Sequence, residues 1–239
     1  MAVGPKAAGF AALMRILIQV FPNMSPDWTS ILWILAILTM TLGNVVALLQ
    51  TNIKRMLAYS AIAHAGYILV GIVPNTSTGF SAVLFYLVVY TVMNLVAFGI
   101  LISLSGKGDT RVRLEDFAGL GKRSPFAAAA LSFALISLAG IPLTGGFIGK
   151  FYLFSAAIQK GLVALAIIGV LNSVVSVYYY FRVMVYMYMR EPVEGTPEPD
   201  PIGWPVQAVV GILVIIIVFL GIRPDHILAL AGSSSLALK

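Results

Sequence analysis

The chain has 239 residues, 60% of them hydrophobic and 10% charged, with a formal net charge of +6 and no cysteine. A soluble domain carries about 25% charged residues, so this composition excludes a soluble globular protein; the missing cysteines exclude disulfides, thiolate catalysis and cysteine-held clusters. In a soluble protein the positive charge would point to nucleic acid, but here the basic residues sit in loops and read as the signal that orients membrane spans.

Seven apolar segments are long enough for about 30 Å of hydrocarbon at about 1.5 Å per residue. They lie near 3–21, 30–50, 54–73, 79–104, 126–159, 162–189 and 203–222, which predicts an all-α polytopic membrane domain over 1–222. A cytoplasmic loop at 105–125 and a short tail at 223–239 complete the layout. No cleavable signal peptide opens the chain, and Met1-Ala-Val-Gly-Pro-Lys6 enters the first segment as if from partway through a larger protein. One set of loops and span ends carries Lys54, Arg55, Lys107, Arg111, Arg113, Lys122, Arg123, Arg182 and Arg190; the other carries Lys160, Arg223 and Lys239. The excess of positive charge marks the first set as cytoplasmic. The N-terminal end is then cytoplasmic and the C-terminal end, after an odd number of spans, faces the opposite side.

The first span holds Lys6 and Arg15. Pro5 suits a first helical turn, where its missing N–H costs nothing. Lys6 either snorkels to the headgroups or serves a buried role. The second span is nearly uncharged, and Thr39, Thr41, Gly43 and Asn44 form a small polar patch suited to helix packing. In the third, Lys54 and Arg55 anchor the cytoplasmic end, and His64 lies ten residues further in, about 15 Å along the axis. Tyr59, Ser60, His64 and Tyr67 share one face by helical spacing. Such a histidine is either a buried neutral side chain bonded to a neighbour or a proton relay; the polar stripe favours the relay.

The fourth span offers Asn94 as its strong polar group and no ionisable side chain besides Tyr86 and Tyr90. The charged loop after it reads as cytoplasmic surface, with a short amphipathic helix around 114–120. The fifth segment, 126–159, exceeds one plain span and is broken by Gly140 and Pro142, with Gly145 and Gly146 keeping the connection flexible. Backbone opened inside a bilayer is tolerated only against protein or water, and the lone Lys150 beyond the break is a functional candidate by default. The sixth span ends in Tyr178-Tyr-Tyr-Phe-Arg182, which reads as an interface belt, with a counter-charge in a water path as the alternative role for Arg182. The nine acidic residues all fall in loops or near span ends, so Lys6, His64 and Lys150 have no buried carboxylate in this chain. A lysine held in such apolar surroundings is suited to losing and regaining a proton.

Three stretches carry a family resemblance. Gln50-Thr-Asn-Ile-Lys-Arg with His64-Ala-Gly-Tyr67, Leu138-Ala-Gly-Ile-Pro with Gly-Phe-Ile-Gly-Lys150-Phe-Tyr, and Asn172-Ser-Val-Val-Ser-Val-Tyr-Tyr-Tyr-Phe-Arg182 together resemble the antiporter-like membrane subunits of respiratory complex I, closest to subunit N of bacterial NADH–quinone oxidoreductases. The resemblance covers nearly the whole chain. It implies the second half of an antiporter-like inverted-repeat fold, from the eighth span of a full subunit onward, with the missing N-terminal half supplied either by a separate chain or by the rest of a longer one. It also implies a proton path through Lys6, His64 and Lys150, with Lys54, Tyr59, Tyr67 and Arg182 as accessory positions, in a multi-pass protein of the bacterial inner membrane. No cofactor is expected in this chain: NADH, flavin, iron–sulfur and quinone chemistry would lie in partner subunits of the complex. The other partners are the lipid bilayer and protons, with no nucleic acid. A subunit of a multi-subunit sodium/proton antiporter shares these motifs, and a non-conducting structural subunit is a rival of a different class.

Overall fold

The computed structural model describes residues 4–105, 111–192 and 201–236. Lys107, Asp109, Glu194, Glu198, Asp200 and Lys239, which enter the charge pattern, lie outside the described residues. The helices are α1 (Gly4–Gln19), α2 (Ser25–Leu48), α3 (Ile53–Ile72), α4 (Ser77–Leu104), the short α5 (Leu120–Arg123), α6 (Pro125–Ala139), α7 (Gly145–Gln159), α8 (Val163–Met189), α9 (Trp204–Ile222) and α10 (Asp225–Leu236). Five of them (α2, α3, α4, α8 and α9) are long and apolar enough to cross a bilayer, and α6 is a shorter apolar helix. The chain is a multi-pass helical membrane protein. α1 and the α6–α7 pair stand where the first and fifth spans are expected.

Helix starts follow from local chemistry. Asn52 and Thr76 cap α3 and α4 by accepting from the amides of Arg55 and Gly79. Pro125 opens α6 and Pro205 lies in the first turn of α9, where an absent N–H leaves nothing unpaired. α3 and α4 are the most enclosed elements. α3 packs against α2, α4, α7 and α8, and α4 against α6, α7, α9 and α10. Apolar side chains fill both ends of the bundle. Leu57, Phe85, Leu131 and Val183 belong to one cluster; Trp28, Met40, Phe80 and Leu165 belong to the other. Burial of this kind makes van der Waals contact and small-residue packing the main attraction between helices in lipid.

One expectation is corrected. The loop near 114–120 is not one amphipathic helix. It is a 3-10 turn at Leu114–Phe117, then Gly119 in the left-handed region at φ 68°, then α5. The Arg123 guanidinium donates to the carbonyls of Asp116 and Ala118 and closes the turn. The loop is fastened to the start of α3, where Ile53 N donates to Val112 O and Leu114 N to Thr51 O. The tail beyond 222 contains α10. Asp225–Leu236 is helical and packs on α4 with Ala231 buried, because Ile227, Leu228 and Ala231 recur at helical spacing.

Candidate functional site

The site begins at the break between α6 and α7. Gly140 takes φ 85°, Ile141 N donates to Ile136 O, and Gly140 N donates to Ser137 O, which ends α6 as a Schellman turn. Two carbonyls remain beyond that turn. Leu138 O would ordinarily accept from residue 142, but that residue is proline and has no N–H. Lys150 supplies the missing donors: Nζ reaches Leu138 O at 2.9 Å, Ala139 O at 3.0 Å and Ser173 Oγ at 2.8 Å. An ammonium has three donors, and all three are used. The partners are neutral, and they include the carbonyl end of a helix, where the backbone dipoles favour a cation.

Ser137 ties the two halves together, accepting from Gly146 N at 3.1 Å. Thr144 caps α7 by accepting from Phe147 N and itself donates to Ile141 O at 2.7 Å. Gly145 and Gly146 do not loosen the connection, contrary to expectation. Both are buried in α7, and a Cβ at 146 would collide with the carbonyl of Ser137.

From Lys150 an aromatic row runs through the centre. Lys150 Nζ lies 4.8 Å over the ring of Tyr67, and that ring meets His64 edge-on at 5.5 Å. His64 stands 5.1 Å from the ring of Tyr90, and Lys6 Nζ lies 5.5 Å over the same ring. Lys6 also donates to Ala61 O at 2.6 Å, so its head turns inward to α3. The order is therefore lysine, tyrosine, histidine, tyrosine, lysine. Cation–π contacts of this kind are worth about 2 kcal/mol when desolvated.

Beside the row sits an amide knot. Asn44 Nδ2 donates to Tyr67 Oη and to Asn172 Oδ1, at 3.2 and 3.1 Å, and Asn44 Oδ1 accepts from Tyr179 Oη at 2.9 Å. Asn172 Nδ2 reaches Thr41 Oγ1 at 3.3 Å. The knot joins α2, α3 and α8 and holds the hydroxyl of the tyrosine under Lys150.

Lys6, His64, Tyr67 and Lys150 are thus brought together. Ser60 is buried on the same side of α3, but Tyr59 packs half-buried against apolar neighbours. Lys54 bonds Ser105 Oγ at 3.0 Å, away from the row. Arg182 donates to the carbonyls of Leu48 and Gln50 and braces the α2–α3 turn. Arg15 is exposed on α1. Sequence reasoning missed Tyr179 and Tyr180. Only Tyr178 faces outward; its two successors are fully buried. It also passed over Tyr86 and Ser173. A surface groove of about 570 Å³ near Trp33, Asn75 and Lys160 has none of the row's residues in its lining. Among the described residues, no three His, Asp or Glu side chains gather as metal ligands.

Residues 1–176 match the family described as NADH:quinone oxidoreductase/Mrp antiporter, transmembrane. The chain is 58% identical over 190 residues to NADH-quinone oxidoreductase subunit N of Trichlorobacter lovleyi, covering 80% of this chain and 39% of that protein. It is 44% identical over 239 residues to subunit N 1 of Solibacter usitatus, covering 100% of this chain and 49% of that protein. It spans about half the length, or less, of these curated relatives. Among solved structures it superposes on a chain of respiratory complex I from Thermus thermophilus with TM-score 0.74 at 34% identity, over 84% of this chain and 45% of that one. A chain of the Mrp complex from Dietzia sp. gives TM-score 0.87 at 22% identity, over 97% and 51%; this second likeness concerns the fold.

Proposed function

The chain belongs to the NADH:quinone oxidoreductase/Mrp antiporter transmembrane family, and we propose that it is a proton-translocating part of a membrane subunit of NADH:quinone oxidoreductase. The observation that carries this reading is Lys150. It is a buried lysine at a helix break, held by two carbonyls, a hydroxyl and a tyrosine face, with no carboxylate among its partners. Such a site binds a proton without trapping it. A hydrogen bond to a charged group contributes about 1.5–3 kcal/mol, and moving one charge across 100 mV takes about 2.3 kcal/mol. Making or breaking one of these bonds is therefore on the scale of the work of translocation.

In this mechanism a change in a neighbouring subunit alters the field at Lys6. The disturbance passes through the His64 region to Lys150, which releases its proton to the far side. The N-terminal end is cytoplasmic and the C-terminal end faces outward. Nicotinamide, flavin, iron–sulfur and quinone chemistry reside in other subunits, and the remainder of the subunit supplies the other half of the inverted repeat. Identities of 58% and 44% to proteins named subunit N support the quinone reductase over cation antiport.

The test is proton pumping in membrane vesicles carrying the assembled complex with Lys150→Ala, with NADH oxidation followed in parallel. Loss of both with assembly intact supports the reading. Full pumping in that variant makes the chain a scaffold. A change of pumping with external sodium at fixed NADH oxidation would favour the antiporter reading.

A further inference from the structure

The three acceptors around Lys150 Nζ are not equivalent. Leu138 O and Ala139 O can only accept, whereas the Ser173 hydroxyl can accept and donate. It accepts from Nζ at 2.8 Å and donates to Ala139 O at 3.2 Å. Thr91, Ser103 and Ser176 turn back to carbonyls of their own helices. Ser173 instead reaches out of α8 to the end of α6. The approach is close because Gly169, one turn earlier in α8, lies against Phe154 of α7, where a Cβ would stand 2.5 Å from the ring.

A protonated lysine brings three N–H donors and the serine brings one O–H. Leu138 O takes one of these, Ser173 Oγ takes one and Ala139 O takes two, one on each lone pair, so every donor is paired. A neutral amine has two N–H donors and one lone pair, and in a buried site that lone pair needs a donor. The two carbonyls cannot supply one, and neither can the face of Tyr67. The backbone at the break is committed elsewhere: Gly140 N donates to Ser137 O, Ile141 N donates to Ile136 O, and Pro142 has no N–H. The Ser173 hydroxyl is the partner of Nζ that can donate. Turned from Ala139 O to Nζ, it pairs the amine, while the two N–H groups keep Leu138 O and Ala139 O.

We infer that Ser173 is a positioning residue whose hydroxyl reverses its role with the charge on Lys150, accepting from the ammonium and donating to the neutral amine. The inference rests on the proton-translocating reading of Lys150 above. The two states differ by one proton, which Nζ gives up or takes back. The O–H bond of Ser173 is never broken; its direction alone changes. Both states are fully paired, so the site holds the lysine with or without its proton. Ala139 O keeps one bond when the hydroxyl turns away, and no second group has to move. Without the hydroxyl, the ammonium has an unpaired N–H and the amine an unpaired lone pair. The loss is larger for the ammonium, because a charge-assisted bond is roughly twice as strong as a neutral one.

The test reads protons pumped per NADH across a range of pH, in vesicles carrying the assembled complex with Ser173→Ala or Ser173→Thr and with Lys150→Ala as reference. Ser173→Ala is expected to lower pumping at least about tenfold at equal assembly, the fold-change that matches loss of a hydrogen bond to a charged group. The pH of half-maximal pumping is expected to move by about half a unit or more, because the two charge states lose unequal bonds. A hydroxyl that only packs the bundle would leave that pH where it is. Ser173→Thr keeps the hydroxyl and is expected to pump within about threefold of wild type. Where Ser173→Ala fails to assemble, Ser173→Cys, whose S–H bonds weakly, is held to the same outcome. Three results, each with Lys150→Ala inactive, overturn the role of Ser173 alone: pumping above about half of wild type, an unmoved pH profile, or an assembled threonine variant that pumps no better than alanine. Full pumping in Lys150→Ala overturns the proton-translocating reading and this inference with it.

Discussion

The side chain of Lys150 runs across the backbone of Gly140. A Cβ at 140 would stand 3.0 Å from Lys150 Cδ and 3.3 Å from Nζ. The glycine is required twice there, once for φ 85° and once for the lysine that passes over it. A left-handed non-glycine residue costs about 1–2 kcal/mol. Gly140→Ala is therefore expected to lower proton pumping about two- to fivefold, on the assumption that about half of that cost falls on the Lys150 site. The amount of assembled complex should change less. Vesicle pumping normalised to subunit content checks this; normal pumping would mean the lysine does not depend on the turn.

Ser137 makes a separate prediction about the break. Its hydroxyl accepts from Gly146 N and lies 2.9 Å from Met93 Sδ. Ser137→Ala leaves a buried amide unpaired, at a cost of about 1–3 kcal/mol. On the function proposed above, the assembled complex carrying the variant is expected to lose quinone-reductase activity at a lower temperature than wild type, while protons pumped per NADH stay unchanged before inactivation. An unaltered inactivation temperature would show that the two half-helices do not rely on this bond.

The multi-pass helical class was legible because long apolar runs leave few alternatives in a bilayer. Gly140, Pro142 and Lys150 were legible because each is costly where it stands. Helix facing was not. α4 and α6 are apolar all round, and neither has a polar face that says which side turns inward. Tyr179 and Tyr180 sit near a span end, where tyrosine usually marks the interface, yet the turn of α8 buries them and leaves Tyr178 outside. The pairing of Asn44 with Asn172 crosses 128 residues of chain, and no local pattern announces it. Ser173 was part of a motif, but its bond to Lys150 depends on how α8 lies against the break.

The amide knot should matter more than another buried asparagine. Asn44 serves Tyr67, Asn172 and Tyr179 on two other helices, whereas Asn94 donates to Tyr90 O on its own helix. Asn44→Leu strands several buried groups, each costing about 1–3 kcal/mol. Asn94→Leu removes one local bond and should change stability by less than about 1 kcal/mol. Thermal inactivation of the two variants side by side checks the ranking. Equal behaviour would mean the knot is incidental to the bundle.

Arg182 separates a structural role from a conducting one. Its two terminal nitrogens hold the carbonyls of Leu48, the last residue of α2, and Gln50, within the α2–α3 turn. A planar fork spans two acceptors at once, which a lysine ammonium does not reproduce in the same geometry. Arg182→Lys keeps the charge and loses the brace. Pumping per NADH is expected to stay within about twofold, because the positive charge remains near the same end of α8. The assembled complex should lose about 1.5–3 kcal/mol of stability, the value of a hydrogen bond to a charged group. Pumping in vesicles and the temperature of inactivation together decide it. A pumping defect without loss of heat stability would make Arg182 a counter-charge on the proton's way in, and the turn would owe its shape to the backbone alone.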